Sequence, residues 1–316
     1  MSYQEFAPQR ELALKMPPLK HPQKVAELLV GAVDLHCHSG PAAMPRTLDH
    51  HDAMLDVAEA KFKALVYKDH FYPGMAHALI LEKLFPDTGV RLFSGLALNN
   101  ASGGINAHAV DHTAKLGGKI VWMPTLAAAN HHAQQESGQA KTFPKTNKKM
   151  LDPVLLTVLD VNGRLIDEAK KVLDVVAETN IILASGHLAV PELVALFEEG
   201  RHRGVKKMMI NHPTYIVGCS DEDIRGFVAL GVSMEHSICM FVEGRSKKYT
   251  PEQLVHLIDI AGIDHTILGS DLGLVNGPRP VDGFRAIVDM LIDLEYSDAD
   301  IRKMISGNAA RLLDLQ

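Results

Sequence analysis

Short runs rich in aliphatic and β-branched residues alternate along the chain with longer stretches whose apolar positions recur every three or four residues. The runs lie at 32–36, 64–68, 90–94, 119–123, 181–185, 207–211, 231–235 and 265–269. Between them, stretches such as 50–63, 168–178, 190–200 and 251–261 carry the helical period. Most neighbouring runs start roughly 25–35 residues apart, the spacing of a repeated strand–helix unit. Eight such units predict an α/β protein of the (β/α)8 barrel class. An open doubly wound sheet is the rival, but the first run leads into His36-Cys37-His38, where that fold places a glycine-rich phosphate loop.

One interval is too long for a simple repeat: about sixty residues separate the fourth run from the fifth. It holds a polar stretch at 130–150 and then Asn162-Gly163 between two apolar runs, which predicts a small β-hairpin inserted after strand four. Such an insertion at the C-terminal end of a barrel strand forms a lid or pocket wall, or else a surface excursion. The expected organisation is an N-terminal helical cap over 1–31 and one barrel domain over 32–316, with the insertion at about 127–166.

Composition narrows the function. Of 316 residues, 47% are hydrophobic and 22% charged, enough apolar material for a large core, so general disorder is excluded. The net charge of -6 removes the electrostatic basis for binding nucleic acid, and 5% aromatic residues leave little for base stacking. Acids and prolines stand near the N-terminus where a secretory signal needs an apolar core, and the best early apolar run is broken by Glu27, so neither a signal peptide nor a membrane span is expected. Three cysteines, Cys37, Cys219 and Cys239, without C-x-x-C spacing, point to a reducing, cytoplasmic setting. The expected partner is a small-molecule substrate, with homo-oligomerisation left open. Histidine, at 17 residues, outnumbers proline at 16, and that excess asks for a chemical reason.

The reason lies in placement. On a strand, His36 and His38 project to one face while Cys37 turns away, so at the mouth of a barrel both imidazoles can take one metal ion. By itself H-x-H also fits two satisfied polar histidines. However, His187 follows the fifth run, His212 the sixth and Asp271 the eighth. Four imidazoles and a carboxylate on one rim form a ligand set suited to Zn²⁺ or a similar divalent ion.

At this point the chain resembles the amidohydrolase superfamily of metal-dependent hydrolases. That pattern has H-x-H on strand one, His on strands five and six and Asp on strand eight, matched by His36, His38, His187, His212 and Asp271. The closing Gly307-Asn308-Ala309-Ala310-Arg311-Leu312-Leu313 is similar to the N-P-A-R-x-L stretch found after the last strand there, with Ala309 replacing the proline. One departure matters. Binuclear members bridge their ions with a carboxylated Lys or a Glu on strand four, and neither stands at the end of this fourth run, whereas Lys68 closes the second. The resemblance thus implies two ions, Zn²⁺ or Mn²⁺, bridged by a carboxylated Lys68: one held by His36, His38 and Asp271, the other by His187 and His212. Alternatively Lys68 stays an ammonium, paired with an acid such as Asp69 or serving a substrate carboxylate.

By the same resemblance, a metal-activated hydroxide attacks a C–N or C–O bond in a small amide, cyclic amide, lactone or carbamate-like molecule, with Asp271 moving the proton. Asn99 and His236, then His70 and Tyr215, are the expected substrate contacts; Asn100, Thr125, His131, His132, Glu235 and Arg279 also follow strands or lie in the long loop. The consecutive pairs His50-His51 and His131-His132 diverge on any regular element and are weak as chelates. Two alternatives keep a metal site. A mononuclear His36, His38, His187 and Asp271 set resembles the superfamily's decarboxylases. The opening Asp34-Leu35-His36-Cys37-His38-Ser39 is similar to PHP phosphoesterases, which expect a histidine two residues after the late aspartate, where this chain has Gly273.

Overall fold

The computed structural model describes residues 7–139 and 150–315. Eight parallel strands run in sequential order: β1 (Val33–Cys37), β2 (Ala64–Tyr67), β3 (Arg91–Ala97), β4 (Ile120–Trp122), β5 (Ile182–Ala184), β6 (Met208–Asn211), β7 (Ser233–Glu235) and β8 (Thr266–Ile267). All eight expected runs are strands. Their residues are buried on both faces, apart from the exposed Arg91 that opens β3. That is why the runs read as continuous apolar stretches instead of alternating ones.

The ring closes just past the end of β8. There Asp271 N donates to His36 O at 2.7 Å, His38 N donates to Leu272 O at 2.9 Å, and Cys37 bridges Leu272. Asp34 ties the same edge, accepting from Ser270 N at 2.9 Å. The fold is therefore a (β/α)8 barrel.

The helices are α1 (Pro22–Leu29), α2 (His50–Glu59), α3 (Met75–Leu84), α4 (Ala107–Lys115), α5 (Ala129–Glu136), α6 (Asp167–Thr179), α7 (Val190–His202), α8 (Asp221–Ala229), α9 (Pro251–Ala261), α10 (Pro280–Asp293), α11 (Asp298–Arg302) and α12 (Asn308–Leu312). Local sequence starts several of them. Asp49, Ser220 and Thr250 each cap a helix, with a reciprocal bond from the residue three positions on. Asn308 anchors α12 to the barrel, its amide donating to Ile263 O and Thr266 O at 2.7 Å each.

Two regions differ from expectation. In the N-terminal extension residues 1–6 lie outside the described residues, and from residue 7 onward it contains a short 3-10 turn (Arg10–Leu12) and α1, otherwise following a non-helical path. Pro8, Pro17 and Pro18 explain this, since each removes a backbone donor and biases the preceding residue away from the helix. In the insertion, the hairpin at Asn162-Gly163 is reduced to one antiparallel bridge, Leu159 to Leu165, with Gly163 at φ 74° in the turn. The polar stretch before it begins with α5, a helix the sequence pattern hid because one side chain in eight, His131, is buried. Residues 140–149 of that stretch lie outside the described residues. No helix among the described residues is long and apolar enough to cross a membrane.

Candidate metal centre and active site

The C-terminal ends of the strands bring the expected residues onto one rim. His36 sits within β1 and His38 just beyond it, while Cys37 between them joins the hydrophobic core, as strand alternation requires. Lys68 follows β2, His187 and His212 follow β5 and β6, and Asp271 follows β8. Backbone strain accompanies two of these positions: His212 at φ 33° and Asp271 at φ 48° occupy the left-handed region, which non-glycine residues hold only where the surroundings enforce it.

His36, His38 and Asp271 converge, with one ligand atom from each lying within 4.8 Å of the others. Asp271 Oδ1 is 3.1 Å from Nε2 of His36 and 3.1 Å from Nε2 of His38. The opposite ring nitrogens are already committed. His36 Nδ1 donates to Glu235 Oε1 at 2.7 Å and His38 Nδ1 to Lys68 O at 3.1 Å. Burial holds both imidazoles well below their ordinary pKa, so the neutral form prevails and each Nε2 carries a lone pair. Two lone pairs and a carboxylate oxygen thus face one another at contact distance, with Lys68 Nζ 2.9 Å from His36 Nε2 beside them, so positive charge is favoured at this point. Burial works against ionisation of Asp271, but its electropositive surroundings, His36, His212 and Lys68, outweigh it and keep the carboxyl below its usual range. The donor set therefore fits a divalent ion of the zinc type.

The second expected pair stands beside this cluster. His187 and His212 have ring centroids 5.1 Å apart, and His212 lies 6.5 Å from His36. His212 Nδ1 donates to Tyr215 O at 3.0 Å, again leaving Nε2 as the free ligand atom. Lys68 is fully buried; its Nζ donates to His36 Nε2 at 2.9 Å and lies 5.1 Å over the Trp122 ring. Burial pulls Lys68 down to about 8, against the raising influence of Asp271 and Glu235. A neutral amine is correspondingly accessible, which is the form that reacts with CO₂.

The expected substrate contacts divide. His70 stacks on His38 with centroids 5.0 Å apart and lies 6.4 Å from His187, so it sits between the two groups. Tyr215 is placed 6.2 Å from His212, its backbone oxygen holding that ring. Asn99 is saturated by its neighbours: its amide nitrogen donates to His70 O and Thr125 Oγ1, and its oxygen accepts from Thr125 N and Ala127 N. Its work is to hold the ends of β2 and β4 in place. His236 is buried with Nε2 unpartnered, and burial pulls it down to about 4; none of its hydrogen bonds or ring contacts reaches the cluster.

Three participants have roles the sequence reading did not assign: Glu235 and His131 were placed near the mouth without one, and Arg46 was missed. Glu235, at the end of β7, fixes the tautomer of His36 and is itself held by Asn211; burial pushes it up to about 7. Its position after the seventh run was the available signal. His131, placed in the long loop as half of a weak chelating pair, reaches from α5 to within 2.8 Å of His187 Nδ1. Arg46, in the loop between β1 and α2, is buried against Asp69, and no periodicity marks it. Asp271 also lines a small surface cleft together with Cys239, Arg245, Ser246 and Leu274. A second acidic group, Asp49, His51 and Asp52, belongs to the capped start of α2 and is engaged by Arg10.

Gly273 bears on the phosphoesterase alternative. It lies at φ 116°, and a Cβ there would stand 1.6 Å from His38 O. The histidine that pattern requires cannot be accommodated at this position.

A family model described as "Family of unknown function (DUF6282)" matches residues 31–235, and a model described as "Amidohydrolase" matches residues 231–315. No curated protein sequence matches the chain. Among solved structures, an amidohydrolase from Pseudomonas aeruginosa is 12% identical with a TM-score of 0.61, covering 92% of this chain and 98% of its own. An organophosphorus hydrolase from Deinococcus radiodurans is 14% identical with a TM-score of 0.52, covering 92% and 93%. A 2,6-dihydroxybenzoate decarboxylase is 12% identical with a TM-score of 0.53, covering 90% and 100%. At such identities the likeness is one of fold. Together with the amidohydrolase match, it bears out the superfamily resemblance drawn from the motifs.

Proposed function

The chain belongs to the DUF6282 family, and from that premise we propose that it is a metal-dependent hydrolase cleaving a C–N or C–O bond in a small amide, cyclic amide, lactone or carbamate-like molecule. The observation that carries this reading is the convergence of Asp271 Oδ1 on the Nε2 atoms of His36 and His38, each ring fixed from behind by an oxygen acceptor. His36, His38 and Asp271 would hold one ion, and His187 and His212 a second, with a carboxylated Lys68 between them. Zn²⁺ or Mn²⁺ bound there supplies Lewis acidity and activates water near neutral pH.

The chain's own groups do the rest. Asp271 accepts the proton of the attacking water through its carboxylate and returns it to the departing nitrogen or oxygen. Cys239 Sγ lies 3.7 Å from Asp271 Oδ2 and steadies that second oxygen. The small cleft beside Asp271 marks the side from which the cluster is approached, and the buried imidazoles keep bulk water from the reacting atoms.

One observation favours a second reading. Among the described residues, only the His36, His38 and Asp271 set at the barrel mouth has its ligand atoms gathered within 4.8 Å, which suits one ion and a decarboxylase-like use of the site. Metal analysis of the purified chain separates the two. The hydrolase reading expects two ions per chain, a carbamate carbon signal after exchange with labelled CO₂, and loss of both in Lys68→Met. One ion with an unmodified Lys68 overturns the binuclear site and moves the assignment to the decarboxylase. In Asp271→Asn, most metal should stay while turnover falls by about 10²–10⁴; an unchanged rate removes Asp271 from the chemistry.

A further inference from the structure

Arg46 is buried to 3% exposure, and among the described residues its one anionic partner is Asp69, met by Nη2 alone at 3.3 Å. Its Nε and Nη1 are buried with no hydrogen-bond partner among the described residues. A guanidinium carries five donors in a planar fork, and leaving two of its nitrogens dry is costly unless another acceptor is supplied. The surroundings say where that acceptor would lie. Arg46 exerts its charge on His38, Lys68 and His70 at the metal cluster, and on Cys37, His50, Asp69 and Tyr72 around it. Its backbone bridges Leu274, which lines the cleft over Asp271, and the next residue, Thr47, bonds through its N to Gly273 O at 2.9 Å. Arg46 thus stands beside the cluster, its side chain packed over Gly40 and against Asp69 and its backbone joined to a residue of the cleft.

We propose that Arg46 anchors a carboxylate group of the substrate through its unpartnered nitrogens, so that the enzyme acts on small acidic molecules. The proposal rests on the metallohydrolase reading for what happens at the other end of that molecule. Arginine suits this task better than lysine because its planar fork matches the two oxygens of a carboxylate. Asp69 holds the guanidinium in place through Nη2 and is itself fixed by Phe71 N, which donates to it at 2.8 Å. The cation is therefore preorganised before any ligand arrives.

The test compares malonate, succinate and glutarate, each with its own monoamide, by calorimetric titration of the zinc-loaded chain. Both members of a pair keep one carboxylate for the metal, so any difference reports the second carboxylate. At least one diacid should bind about tenfold tighter than its monoamide, the loss expected for a charged hydrogen bond, and Arg46→Gln should abolish that preference. Arg46→Lys, which keeps the charge without the fork, should retain part of it and stands in if Arg46→Gln does not fold. Equal binding of diacid and monoamide across the series overturns the proposal. So does a full preference in either variant, which would leave Arg46 as a structural partner of Asp69 only. Failure of the wild-type chain to bind zinc sinks the metallohydrolase reading instead and leaves this comparison intact, because both members of each pair then lose the same contact.

Discussion

The Nδ1 atoms of His131 and His187 stand 2.8 Å apart, so one ring donates a proton to the other and their tautomers are coupled. The rings are stacked, with centroids 4.8 Å apart, and His131 is carried by α5 of the insertion. The insertion thus reaches into the site and orients a candidate ligand from behind. His131→Phe should keep the fold and lower metal affinity about 10–100-fold, the usual effect of removing a group that orients a ligand. Chelator competition measures this, and an affinity equal to that of the wild type contradicts the bracing role.

Gly273 is the point where the loop after β8 touches β1. With a Cβ at 1.6 Å from His38 O, Gly273→Ala must move either the β1 terminus or the turn carrying Asp271. It should cost at least about 3 kcal/mol in urea unfolding and weaken metal binding as well. Gly31 is a fair control, since it also has positive φ but meets nothing within 4 Å. Gly31→Ala should cost about 1 kcal/mol and leave metal binding unchanged.

His50 makes acid stability predictable. It is buried between Ser39 and Tyr72, and burial, aided by the charges of His77 and Arg46, pulls it from 6.5 to about 3. The unfolded chain therefore takes up a proton below 6.5 that the folded chain refuses until about 3. Stability is fully present above 6.5 and falls as pH drops through that window, by about 1.4 kcal/mol per pH unit. His50→Asn lacks this term. Its deficit against the wild type near pH 7 should shrink by about 2 kcal/mol near pH 5, read from urea midpoints at the two values; a constant deficit contradicts it.

The fold was legible because each barrel strand is buried on both faces and so announces itself as an apolar run. The rim residues His36, His38, His187, His212 and Asp271 were legible for a related reason: a ligand at the mouth must follow the end of its strand in the chain. Arg46 obeys no such rule. It comes from a loop whose path is set by contacts with Leu274 and Gly273, more than two hundred positions away, and nothing local encodes them. His131 was legible only as a loop residue near the mouth: as half of a His-His pair it looks like a poor chelate, and only the fold shows that its ring meets His187. Asn99 shows the opposite case: its position suggests a ligand contact, and the sequence does not reveal the four hydrogen bonds that tie it to its neighbours.

The barrel's closure past β8 has a last consequence. β8 is two residues long, and its edge meets β1 through the backbones of Asp271 and Leu272. His36 and His38 stand on one lip of that seam and Asp271 on the other. Whatever joins these three side chains also clasps the first strand to the last, so parting the seam and dismantling the site are the same event.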